Sequence, residues 1–118
     1  MLPGPYTIKK QYAGDTFDGL RMTLSRTEDG VTEPIDLTSA DVTFHLNFGA
    51  KGGEEILNLS SSAGGVSIED AEQGIFRIDP FAVPETPGNY YFAVRVLFPA
   101  DVVKTYVEGR MAVVERVR

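Results

Sequence analysis

The 118-residue chain has one histidine and no cysteine, so any acid–base or metal chemistry would have to be built from His45 and carboxylates. His45 sits between Phe44 and Leu46, with Asp41 and Asn47 close by in sequence. A metal would need at least two further directed ligands, and the chain offers only scattered acids. General acid–base work would need a cleft and a group to orient the ring, and no spacing around His45 supplies either. Asp15 and Asp18 flank a turn, where short carboxylates more readily brace backbone amides than build an oxygen-rich cation site. Glu69, Asp70 and Glu72 lack the ordered ligand series of a calcium loop and read as a solvated turn. A glycosidase pair could be drawn between many separated acids, but spacing along the chain does not fix their facing distance. Lys51-Gly52-Gly53 is too short for a phosphate-binding loop, and Ser60-Ser61-Ser62 lacks the strand-to-helix elbow of a serine nucleophile and reads as a flexible connection. No catalytic, cofactor-binding or metal-ligating residue is therefore assigned, and the chain is expected not to be an enzyme.

The charge balance narrows the partners. With 17 acidic and 11 basic residues the formal charge is −6, the wrong sign for a surface that tracks phosphates. Arg95, Arg110, Arg116 and Arg118 are dispersed among apolar and acidic neighbours, which fits solubility or protein contacts and not nucleic acid. Without cysteine there are no disulfides and no thiolate zinc sites. Pro3 and Pro5 interrupt a start that has no long apolar run, so neither a signal peptide nor a membrane span is expected, and the plain expectation is a soluble protein folded in a cytoplasm.

The elements that would carry these residues read as strands. Tyr90 to Phe98 alternates with a period of two: Tyr90, Phe92, Val94, Val96 and Phe98 share one face, with Tyr91, Ala93, Arg95 and Leu97 on the other. Such a strand belongs in the centre of a sheet. Val42 to Gly49 repeats the pattern, with Val42, Phe44, Leu46 and Phe48 inward and Thr43, His45 and Asn47 outward. Weaker segments run over Tyr6–Gln11, as an edge, and over Thr16–Arg26, with a turn or bulge at Asp18-Gly19. Further ones cover Glu54–Leu59, Val66–Ile68 and Ile75–Asp79. Ile35 and Leu37 are placed to reach the core from a crossing segment, and Phe81 and Val83 to cover its end. In the final segment Val103, Thr105, Val107, Met111 and Val113 share a parity, with Val114 opposite, and the missing side chain of Gly109 would permit a bulge or crossing. The spacing predicts one all-β domain over residues 1–118, with a lead at 1–5, built as an antiparallel β-sandwich of seven or eight strands.

On that scheme Phe44, Phe48, Phe76, Tyr90, Phe92 and Phe98 are core rings. Tyr91, Leu97, Tyr106 and Val114 fall on faces opposite the core and are the candidate protein-interface residues. A carbohydrate-binding module is the alternative; it would expose aromatic rings around polar groups in a shallow groove.

Three stretches together carry a resemblance: Gln11-Tyr12-Ala13-Gly14-Asp15-Thr16-Phe17, Pro34-Ile35-Asp36-Leu37-Thr38-Ser39-Ala40-Asp41-Val42, and Gly88-Asn89-Tyr90-Tyr91. In this order the chain resembles an immunoglobulin-like module of tailed-bacteriophage and prophage proteins, similar to the amino-terminal domain of baseplate upper proteins. Gly14 to Thr16, Ile35 to Thr38 and Gly88 to Tyr90 match the family's pattern, and Pro99-Ala100-Asp101 departs from its more glycine-rich turn. The resemblance implies an immunoglobulin-like fold and a non-catalytic structural role in a tail or baseplate, synthesised in the host cytoplasm. It also implies partners that are further copies or other tail proteins, and no cofactor.

Overall fold

The computed structural model describes residues 4–50 and 52–115. Within them lie twelve strands: β1 (Gly4–Tyr12), β2 (Thr16–Phe17), β3 (Leu20–Thr23), β4 (Ser25–Glu28), β5 (Val31–Pro34), β6 (Asp41–Phe48), β7 (Glu55–Ser60), β8 (Val66–Asp70), β9 (Ile75–Ile78), β10 (Phe81–Ala82), β11 (Gly88–Phe98) and β12 (Val102–Val114). They form four sheets. The largest has the order β1-β12-β11-β6-β7; the others are β3-β9-β8, β10-β2 and the hairpin β4-β5. Every paired couple is antiparallel except β1 with β12. The fold is thus all-β and mostly antiparallel, in several sheets.

Alternation explains where the core sits. Phe92, Val94 and Val96 of β11, Val42, Phe44 and Leu46 of β6, and Met111 of β12 are fully buried, and they meet Phe76 and Ile78 of β9 and Val66 of β8 in one cluster. A file of rings crosses it. Phe17 lies 4.8 Å from Phe81, Phe81 5.7 Å from Phe44, Phe44 5.9 Å from Phe92, and Phe92 stands edge-on to Tyr6 at 6.4 Å. The two short strands β2 and β10 thereby seat their phenylalanines in the core of the larger sheets, a geometry that adds to simple area burial. Ile35, Leu37 and Val83 are buried from connecting segments. By contrast, every residue of β4 and β5 is exposed. That hairpin is held at its base, where Leu24 N–H donates to Gly74 O and Ile35 N–H to Leu24 O. Gly74 has φ +70, and a side chain there would run into the carbonyls of Leu24 and Ile35.

Several expectations are corrected. The segment over Thr16–Arg26 breaks at the expected turn or bulge of Asp18-Gly19 and again at Leu24, giving β2, β3 and the start of β4, and twelve strands replace seven or eight. Phe48, expected inside, is 39% exposed, because β6 runs past the core at that end; its ring rests edge-on against Tyr90 at 5.1 Å. The irregularity in the final strand lies at Tyr106, between the pairs Val94↔Val107 and Arg95↔Thr105, and not at Gly109. It reverses the parity beyond it, so Val103 points outward and is 58% exposed while Tyr106 packs on the core side against Phe98. At Gly109 the β1 backbone comes so close that a side chain would collide with the Tyr6 carbonyl. The serine loop is ordered: Asp41 accepts from the Ser61 hydroxyl at 2.8 Å and from Ser62 N–H at 3.0 Å and its hydroxyl at 2.9 Å. Residues 1–3 of the expected lead, Lys51 and residues 116–118, with Val117, lie outside the described residues; Gly4 and Pro5 belong to β1.

Candidate protein-contact surface

The chemistry-bearing side chains are tied into the outer face of the five-stranded sheet. Thr43 and His45, two apart on β6, point the same way, and β7 brings Glu55 alongside. Thr43 Oγ1 lies 2.9 Å from His45 Nε2, and His45 Nδ1 lies 2.9 Å from Glu55 Oε1. In the tautomer that donates Nδ1–H to Glu55, Nε2 accepts the Thr43 hydroxyl, the order of contacts a nucleophile, base and orienting acid would need. The supporting parts differ, however. Strand β6 lies between β11 and β7 and its N–H groups serve the two ladders, so they do not converge as an oxyanion hole beside Thr43. What the trio does is fasten β7 to β6.

One strand across, Ala93 is 1% exposed on the outer face, flanked across the ladders by His45 and Glu108. Tyr91 donates its phenol hydroxyl to Glu108. Burial, that hydrogen bond and the Glu108 charge push the Tyr91 phenol up from its ordinary 10.0 to about 12, with Arg95 opposing. Glu69 pairs with Arg21 at 2.6 Å, and Asp36 accepts Thr38 N–H at 2.9 Å; the Thr38 side chain first, and this backbone bond second, hold its carboxyl below the usual range. Among the described residues, no three His, Cys, Asp or Glu side chains are grouped to hold a metal ion. No helix among them is long and apolar enough to cross a membrane.

The four interface candidates are dispersed. Tyr91 is half-buried between Asn47 and Arg110, Val114 is half-buried beside Tyr12, and Tyr106 is on the core side. Leu97 alone is well exposed, six positions beyond Tyr91 and so roughly 20 Å along the strand. There it faces Val103, which the parity of the sequence turns inward, while Val102, opposite Phe98, is exposed on the other face of the same end. Their signal is position: they adjoin the turn Pro99–Asp101, in which Ala100 and Asp101 hold φ of 68° and 61°. Beside this tip, the β4-β5 hairpin and the end of the β11-β12 hairpin enclose a cleft of about 380 Å³, lined by Arg26, Ile35, Phe98, Val102, Lys104 and Tyr106 among others. A second, more apolar slot of about 290 Å³ opens between Tyr6 and Val107 of the large sheet and β3.

Apart from Tyr6, and from Val31 on β5, the large exposed apolar side chains lie at the two ends of the large sheet. Leu97, Val102 and Val103 lie at one end, with Phe48 and Ile56 at the other. The exposed rings do not make a platform: Tyr6 and Phe48 lie on the core-side parity of different strands and Tyr12 on the outer parity beside Val114. No protein-family model matches the chain, and no curated protein matches it at a significant level.

Proposed function

We propose that the chain is a non-catalytic protein-contact module that assembles a phage tail or baseplate, working in the virion after synthesis in the host cytoplasm. The observation that carries the contact role is the gathering of Leu97, Val102 and Val103 at one exposed end of the sheet, while His45, Tyr91 and Asp41 are spent on internal bonds. The phage context rests on the ordered motifs at Gly14–Thr16, Ile35–Thr38 and Gly88–Tyr90. An immunoglobulin-like reading of the sheets is supported by Tyr90, whose hydroxyl donates to the Thr86 carbonyl at 2.6 Å just before β11. A tyrosine bonded back to upstream backbone at a late strand's entry is a feature of that fold.

The test is location. Antibody against the chain should label the tail or baseplate fraction of purified particles from an induced lysogen carrying its gene, and neighbouring genes should encode virion proteins. Particles free of the chain, with neighbours from an unrelated metabolic pathway, would remove the phage reading. A glycan array read alongside decides the carbohydrate alternative, which the scattered exposed rings do not favour.

A further inference from the structure

We propose that Met22 is a site of reversible oxidation, at which a peroxide converts the thioether to a sulfoxide and loosens the seam between the three-stranded and five-stranded sheets. The chain has no cysteine and no tryptophan, so a two-electron oxidant meets its softest side chains in three methionines. Their positions differ. Met1 lies outside the described residues, Met111 is fully buried on β12 between β1 and β11, and Met22 is half-buried on β3.

Strand β3 is the edge of its sheet and pairs with β9 alone. Leu20 lies opposite Ile78 and Met22 opposite Phe76, both fully buried, so alternation turns Leu20 and Met22 toward the core while Arg21 and Thr23 face solvent. The core is not closed beside them. The slot of about 290 Å³ has Leu20, Met22 and Leu24 on the β3 side and Tyr6 and Val107 across from them. Its volume is several times the roughly 30 Å³ share of a water molecule, so a peroxide has room to reach the Met22 sulfur. Met111, with none of its surface exposed, has no such approach. The step is an oxygen transfer. A sulfur lone pair attacks one peroxide oxygen, the S–O bond forms as the O–O bond breaks, and the proton on the transferred oxygen passes to the departing hydroxide, which leaves as water. Sulfur is oxidised by two electrons and the peroxide reduced by two. The new sulfoxide oxygen is a strong acceptor set among Leu20, Leu24 and Val107, so it draws water into the slot. A strand bonded on one side yields there most readily, and reduction of the sulfoxide lets the seam close again.

Hydrogen peroxide applied to the full chain, followed over time by peptide mapping, tests this. In the folded chain Met22 should be oxidised roughly tenfold or more faster than Met111, and in denaturant the two rates should converge. The oxidised chain should melt roughly 4 °C lower, with faster hydrogen exchange concentrated in β3 and the start of β1. Treatment with a methionine sulfoxide reductase and a dithiol should reverse both changes. Met22→Leu keeps the wall apolar, so a peroxide dose that shifts the parent should leave the melt of this variant where it was. Equal rates for Met22 and Met111 in the folded chain overturn the inference. A sulfoxide at Met22 that alters neither melting nor exchange in β3 also overturns it, and so does a Met22→Leu chain that loses as much stability on oxidation as the parent.

Discussion

Phe92 shows how much one side chain carries. It is fully buried, stacked near Phe44 and capped by Tyr6, so Phe92→Ala removes partners on both sides of the core. We expect a loss of roughly 3–5 kcal/mol in denaturant unfolding, and a loss below about 1 kcal/mol would mean the site is peripheral. Tyr91 offers a pH handle. Its phenol is held neutral in the folded chain, so its contribution is complete below pH 10.0 and is lost as pH climbs from there toward about 12. Alkaline unfolding and tyrosinate absorbance should both show this in the parent, and Tyr91→Phe should remove the late tyrosinate step. The burial of Phe92 was legible from alternation, because a period of two fixes a face. The partner of Tyr91 was not, since Glu108 lies seventeen residues away on another strand and only the register brings them together.

At the scale of elements, the strongly alternating strands could be read directly and the weak ones could not. Val42 to Leu46 and Tyr90 to Val96 announce their buried faces. Strands β4 and β5 bury nothing, so no hydrophobic pattern marks them, and their hairpin is fixed by backbone bonds around Gly74. The bulge at Tyr106 explains why the interface candidates were only partly legible: one extra residue reverses every face beyond it, moving Tyr106 in and Val103 out. At Gly109 the expected use of a missing side chain holds, as a close approach of another strand and not as a bulge. The missing Cβ there lets β1 lie against β12. Gly109→Ala should therefore push the two strands apart and cost about 3 kcal/mol, at the upper end for overpacking, because backbone cannot rotate away as a side chain can. Thermal melting measures the loss, and hydrogen exchange should show it concentrated in β1; an unchanged melt would mean that β1 has room to shift.

For the whole molecule, the large sheet joins the first strand to the last, and it is the sheet that sets the 49 Å long dimension: β12 alone extends over roughly 43 Å. Pairing β1 with β12 closes a loop of most of the described chain, at an entropic cost that grows only slowly with the length of that loop. The parallel pairing also sets how the molecule carries a mechanical load. Gly4 sits opposite Val107 and Tyr12 opposite Val114, so tension applied at the start of β1 and the end of β12 drags the two strands past each other lengthwise. Their hydrogen bonds are then loaded in shear and must give way together, whereas an antiparallel hairpin pulled open from its ends loses them one at a time. In single-molecule pulling, the parent should rupture at a higher force along this axis than when held across the β4-β5 hairpin, and Gly109→Ala should abolish much of the difference. A module tensioned through these two strands would behave as a rigid link in whatever it is strung into, and would yield abruptly when it failed.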